Sequence, residues 1–207
     1  MTDPPYRIVT DRLVVRCWEP RDAPLLKDAV DSSLDHLREW LPWAHDEPQP
    51  LAEKVALLRR FRGQFDLGQE FVYGIFSADE SEAVGGTGLH RRVGDDALEI
   101  GYWTRVSHTG RGLGTESTAA LTRVAFEHCG VDRVEIRVDP ANVRSARIPQ
   151  KLGFVEEATL KRRLLPFGTQ TEPHDVTVFS LFRERVAETP CAAVAVQAYD
   201  AAGTRVV

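Results

Sequence analysis

Residues 97–116, ALEIGYWTRVSHTGRGLGTE, limit the possible folds more than any other stretch of this chain. Residues 97–103 are rich in strand formers and follow the turn-prone pair Asp95-Asp96. From Leu113 until Gly130, Leu121, Val124 and Ala125 recur at helical spacing. Between strand and helix stand Gly110, Gly112 and Gly114. Without Cβ atoms, their amides can approach a ligand closely. The helix behind them leaves its first amides unpaired and carries partial positive charge there. Together these make a cradle for phosphate or pyrophosphate. The same glycines also suit a tight turn with no ligand. Two phosphate loops are excluded. A P-loop needs Gly-Lys followed by Ser or Thr, but Thr115-Glu116 follows Gly114. The dinucleotide fingerprint needs Gly or Ala where Thr115 stands.

The rest of the chain supplies one domain. A length of 207 residues, 43% hydrophobic and 28% charged, can bury a substantial core. A net charge of −5 gives no global reason to expect nucleic-acid binding. No apolar run approaches the roughly 20 residues of a membrane span, and the N-terminus lacks a signal pattern. Cys17, Cys129 and Cys191 are few and widely spaced, which excludes a disulfide framework or a CxxC knuckle. The expectation is a reduced, cytoplasmic protein.

Strands are expected at residues 10–16, 71–77, 83–90, 131–138, 154–162 and 176–182. Helices are expected from Asp22-Pro24 through Val30, over 33–43, over 51–64, and from Asn142 to Gly153. Trp40 and Trp43 either wall an acceptor pocket or pack in the core beside Leu37 and Leu41. Residues 45–50 read as a loop, and residues 188–207 as a loosely attached or disordered tail after a domain of residues 1–187. The element order gives an α+β domain around one mixed sheet.

At this point the residues carry a resemblance. The glycine loop is followed by Asn142-Val143-Arg144-Ser145 and then Ile148-Pro149-Gln150-Lys151-Leu152-Gly153-Phe154. Ile100-Gly101-Tyr102-Trp103, Arg38 to Trp43 and His174-Asp175 complete the pattern. Residues 9–184 resemble the GNAT superfamily of acyl-CoA-dependent N-acyltransferases, and most closely its RimJ/RimL-type ribosomal-protein N-acetyltransferase branch. The resemblance implies a mostly antiparallel mixed sheet with a splayed central parallel strand pair and helices on both faces. It implies acetyl-CoA as cosubstrate and no metal. Thr104, Arg105, Val106, Thr109, Gly110, Arg111, Gly112, Leu113, Gly114, Thr115 and Asn142 would then bind the donor, with a backbone amide near 104–106 meeting the thioester carbonyl. Asn142 also fits a helix N-cap.

The implied reaction is direct attack of a neutral amine on the thioester. An amine with a pKa near 10.4 must first lose a proton, which makes Glu99 the candidate base. Ser145 is the candidate donor to the departing thiolate, and Trp40, Trp43 and Asp175 the candidate acceptor contacts. Strand alternation sets Glu99 opposite Ile100 without revealing which face meets the pocket. Thr109 departs from the Gln or Arg of many relatives, and no tyrosine precedes Gly153-Phe154, which moves Ser145 into that role. The six histidines show no metal-ligand spacing, and His108 could touch a phosphate. The acceptor is expected to be a protein N-terminus or a small amine, with neither membrane nor nucleic acid involved. The analogy also allows a homodimer. Another donor (succinyl-CoA or aminoacyl-tRNA) and a non-catalytic CoA-binding module remain open alternatives.

Overall fold

The short apolar runs become strands of one sheet in the computed structural model, which describes Met1–Val207. In chain order the elements are β1 (Arg7–Val9), β2 (Leu13–Cys17), α1 (Ala23–Asp31), α2 (Leu34–Arg38), α3 (Leu51–Asp66), β3 (Phe71–Ser77), β4 (Ala83–His90), β5 (Ala97–Thr104), α4 (Leu113–Val124), β6 (Arg133–Val138), α5 (Val143–Lys151), β7 (Val155–Leu164), β8 (His174–Phe182), α6 (Pro190–Ala193) and β9 (Gln197–Tyr199). The nine strands lie in the order β7-β8-β6-β5-β4-β3-β2-β1-β9. Only β5 and β6 run parallel; every other neighbouring pair is antiparallel.

Helices cover both faces because the strands are apolar on both. On one face Leu98, Ile100, Val134 and Ile136 pack with Ala120, Leu121 and Val124 of α4. On the other, Val14, Trp18 and Phe76 pack with Leu26, Ala29 and Val30 of α1 and Leu58 of α3. Each fully buried leucine or isoleucine stabilises the fold by about 1.5–3 kcal/mol. Alternation along β5 then fixes a point the sequence left open. Leu98 and Ile100 face α4, so Glu99 lies on the α1–α3 face.

Three expectations need correction. The expected helix over 33–43 is α2 followed by a separate 3-10 turn, Pro42–Asp46, which also takes in the start of the expected loop. Leu41 is extended (φ −121, ψ 112), as a residue before proline must be to avoid its ring. The strand expected at 10–16 is a hairpin, β1 with β2, paired Arg7↔Arg16 through Val9↔Val14. The tail expected to hang loosely is packed. β9 pairs with β1, and Cys191 and Ala198 are 0% exposed. Small alanine side chains allow that close approach but leave no periodicity to read.

Candidate active site

The parallel pair of β5 and β6 is short. It has the rungs Ala97↔Arg133, Leu98↔Val134 and Glu99↔Glu135, and there it stops. Beyond it β5 stays paired with β4 to Thr104, and β6 stays paired with β8 to Val138. The two strands therefore diverge, each with one unpaired edge. The Arg105 N–H donates to the Val84 carbonyl at 2.9 Å. Alternation from that bond turns the main-chain groups of Tyr102 and Thr104 toward the gap. A wedge lined with free amides and carbonyls is where an extended amide-bearing ligand can complete the sheet.

The glycine loop closes the wide end of the wedge. Gly110 and Gly112 have φ of +74 and +79, a conformation that side-chain-bearing residues rarely hold. Gly112 is the N-cap of α4 and supplies no capping side chain, so the first amides of the helix stay available. At Gly114 a Cβ would lie 3.2 Å from Ile148 Cδ1 and 3.4 Å from Thr104 Oγ1, so those side-chain ends would have to shift slightly to admit it. Thr115 follows in the first helical turn, and Leu113 packs on the core. Arg111 is exposed, and its carbonyl accepts Arg12 Nη1 at 3.0 Å.

Of the amides expected to meet a thioester carbonyl, two are already committed. The Arg105 amide belongs to the β4 ladder, and the Val106 amide donates to Ser33 Oγ at 3.0 Å. Ser33 Oγ in turn donates to the Ala29 carbonyl at 2.7 Å, which pins the end of α1 against this turn. Only Thr104 of the three keeps its main chain toward the gap. Arg105 instead uses its side chain, pairing with Asp28 at 2.8 Å. Thr109 closes the turn by donating Oγ1 to the Val106 carbonyl at 2.9 Å. His108 points away from the loop amides, to Glu82 at 3.3 Å.

Asn142 is an N-cap: its Oδ1 accepts the Ser145 N–H at 3.1 Å. That leaves its amide nitrogen as a free donor at the start of α5. Ser145 Oγ donates to the Tyr102 hydroxyl at 3.1 Å, and that hydroxyl donates to the Ser145 carbonyl at 3.0 Å. Burial pushes the Tyr102 phenol well above its ordinary value, so it stays protonated through the neutral range. Tyr102 was not among the site residues singled out in the sequence, yet it shares hydrogen bonds with the candidate Ser145. Its place in Ile100-Gly101-Tyr102-Trp103 was visible, but its contact with α5 was not.

Glu99 and Glu135 meet across the last parallel rung, each 5% exposed. Arg92 holds Glu99 through two hydrogen bonds of 2.5 and 3.1 Å. Those bonds raise the guanidinium further above its usual value. Arg137 lies 3.1 Å from Glu135 and 3.7 Å from Glu99. Further along this face Trp103 stacks edge-on with Trp43, ring centroids 6.0 Å apart. Of the three glycines of β4, Gly86 serves this stack by close approach. A Cβ on Gly86 would sit 2.4 Å from Trp103 Nε1. Trp43 is 39% exposed and Trp40 half-buried, so neither is a core residue. Asp175 is not gathered into this cluster. Its carboxylate accepts Lys161 Nζ at 2.8 Å and the Arg162 N–H at 3.1 Å, which hold it below the usual range. Its neighbour His174 pairs with Asp139 at 2.6 Å, at the end of β6.

Comparison with known proteins agrees with this geometry. The family described as "Acetyltransferase (GNAT) domain" matches residues 12–155. The ribosomal protein uS5-alanine N-acetyltransferase of Escherichia coli (strain K12) is 30% identical over 182 residues, 86% of this chain and 92% of its own. An aminoglycoside N(6')-acetyltransferase type 1 of Klebsiella pneumoniae is 25% identical over 75% of this chain and 81% of its own. The structure of Mycobacterium smegmatis RimJ in complex with CoA-disulfide superposes with a TM-score of 0.80 at 23% identity, over 92% of this chain and 95% of that one. At that identity the likeness shows the fold.

Proposed function

The chain belongs to the GNAT family of acetyltransferases, and from that premise we propose that it transfers the acetyl group of acetyl-CoA to a primary amine, with a protein N-terminus as the first acceptor class. The observation that carries this reading is the gap between β5 and β6, which opens directly onto a left-handed glycine loop at a helix N-terminus. The donor brings an activated thioester, an amide-bearing arm and a pyrophosphate. Residues of this chain match each part. The amides of residues 112–115 take the pyrophosphate. The edges at Tyr102 and Thr104 and the Asn142 amide nitrogen take the arm. The Thr104 amide stabilises charge on the thioester oxygen.

The acceptor enters from the α1–α3 face, where Glu99, Trp103 and Trp43 lie. Glu99 takes a proton from the substrate ammonium through water, and the freed amine forms the new C–N bond. The C–S bond breaks, the thiolate leaves as the thiol by taking a proton from the Ser145–Tyr102 hydroxyl pair, and the second proton shed by the attacking nitrogen passes through water to restore that pair. The E. coli relative, named for its action on a ribosomal-protein alanine, supports a protein N-terminus. The aminoglycoside enzyme supports a small-amine panel beside it.

The test is calorimetric titration with acetyl-CoA, free CoA, succinyl-CoA and ATP, followed by free-thiol release with N-terminal peptides and small amines. The expected result is selective binding of CoA species and thiol release with a free N-terminal amine. Glu99→Gln should keep donor affinity and lose about 10²-fold or more in turnover. Absence of binding by any CoA species would overturn the reading.

A further inference from the structure

The glycine loop is held from outside by a residue 104 positions before Glu116 in the chain. Arg12 sits in the turn between β1 and β2. Its Nε reaches Glu116 Oε2 at 2.6 Å, and its Nη2 reaches the same oxygen at 2.5 Å. Its main-chain N–H takes Glu116 Oε1 at 3.2 Å, and the buried Thr10 hydroxyl takes that oxygen at 2.6 Å. Its Nη1 donates to the Arg111 carbonyl at 3.0 Å. One guanidinium therefore grips both the first turn of α4 and the loop before it.

Two physical consequences follow. A trans peptide unit carries its C=O and N–H on opposite sides. Fixing the Arg111 carbonyl toward Arg12 therefore fixes the Gly112 N–H in the opposite direction, away from the guanidinium. The second consequence is electrostatic. Glu116 is the acid in the first turn of α4. There it suits the helix dipole but repels an anion bound at the same terminus. Three hydrogen bonds from Arg12 and Thr10 satisfy that carboxylate, and the Arg12 charge cancels it.

We propose that Arg12 is a positioning residue for donor binding: it neutralises Glu116 and aims the Gly112 amide, so that the loop presents amides rather than an uncompensated carboxylate to the donor's pyrophosphate. This rests on the donor reading given under Proposed function. Arg12 touches no reacting atom. A purely structural role, tying the hairpin to α4, would lower the melting temperature and leave donor affinity in the folded protein unchanged.

The experiment compares full-length wild type, Arg12→Gln, Arg12→Lys, Glu116→Gln and the Arg12→Gln/Glu116→Gln double variant. Acetyl-CoA affinity is measured by calorimetry below the melting temperature of every variant. Arg12→Gln should weaken binding about tenfold, within the range of a charge at a helix terminus. Arg12→Lys, which keeps the charge but loses the forked grip on the Arg111 carbonyl, should bind with an affinity between wild type and Arg12→Gln, whereas Glu116→Gln should stay within about threefold of wild type. The double variant should bind more tightly than Arg12→Gln, because the repelling carboxylate has gone too. If wild type binds acetyl-CoA and Arg12→Gln binds it equally well, the proposal fails and the donor reading stands. If the double variant is as weak as Arg12→Gln, charge neutralisation is not the cause and the proposal fails in that half. If wild type binds no CoA species, both readings fall together.

Discussion

Tyr102 and Ser145 exchange hydrogen bonds across the open edge of β5. The serine hydroxyl donates to the phenol at 3.1 Å, and the phenol donates to the serine carbonyl at 3.0 Å. Two hydroxyls thus share one site beside the gap, and either can turn a proton toward a departing sulfur. Ser145→Ala should lower kcat about tenfold, Tyr102→Phe by a similar factor, and the double variant by more than either but less than about 10²-fold, the low end for general-acid loss. Residues in one hydrogen-bond network do not act independently, so the double variant should fall short of the product of the two single effects. Steady-state kinetics beside acetyl-CoA titration would check this. Burial holds the phenol protonated, so neither variant should move the alkaline limb below pH 10.

Gly86 tests the proposed acceptor wall at a distance from the proposed donor loop. A Cβ at that position would lie 2.4 Å from Trp103 Nε1 and 2.9 Å from Trp103 Cε2. The indole must move, and it carries the edge-on contact with Trp43. Gly86→Ala should therefore raise KM for the amine several-fold, while acetyl-CoA affinity stays within about twofold, a loss of the order of one repacked aromatic contact. Equal losses for both ligands would show that this wall serves the donor as well.

How much of this could be read from the sequence depended on distance along the chain. Residues 71–77 and 83–90 are short apolar runs bounded by turn residues, and the strands occupy those same residues. The glycine loop was legible because its strand, loop and helix are contiguous. β1 and β9 have three residues each; β9 exists by pairing with β1, and β1 by pairing with β2 and β9, which leaves no local signature. The face occupied by Glu99 could not be read either, since it depends on which helices pack on each side of β5. Arg92, Arg12 and Tyr102 were invisible as site residues for the same reason: each acts through a partner brought near only by the fold. The loop expected at 45–50 carries Glu47, whose buried partner Lys54 sits in the next helix. A lysine inside an amphipathic pattern reads as solvent-facing.

Lys54 and Glu47 form an ion pair with side chains only 1% and 4% exposed. Glu47 Oε2 also accepts the Gln49 N–H at 2.9 Å, and its carbonyl accepts Arg38 Nη2. The pair anchors the turn bearing Trp43 to α3. Lys54→Ala would leave a buried carboxylate without its countercharge, which costs about 3–5 kcal/mol. A Lys54→Met/Glu47→Leu double variant removes both charges and should recover most of that loss. Urea denaturation of the three proteins would measure it, and a Lys54→Ala loss below about 1 kcal/mol would mean that water reaches the pair.

Acid should unfold this protein through carboxylates that are better solvated by the fold than by water. The Arg7 guanidinium, and then Arg16, hold Glu80 below the usual carboxylate range. The His90 ring does the same to Glu70, and the Ser77 and Ser81 hydroxyls lower Asp79 to about 2. Each folded-state value lies below its unfolded counterpart. The stability each group contributes is therefore complete above the unfolded carboxylate value of about 4 and is lost as pH falls through the folded value. Thermal unfolding should be nearly flat from about pH 7 to 5 and fall steeply below about pH 4. Glu80→Gln should cost about 1 kcal/mol at neutral pH, the scale of a partly exposed ion pair, and make the acid limb shallower. The melting temperature followed by circular dichroism against pH checks both. A variant limb as steep as wild type would place the acid-sensitive groups elsewhere.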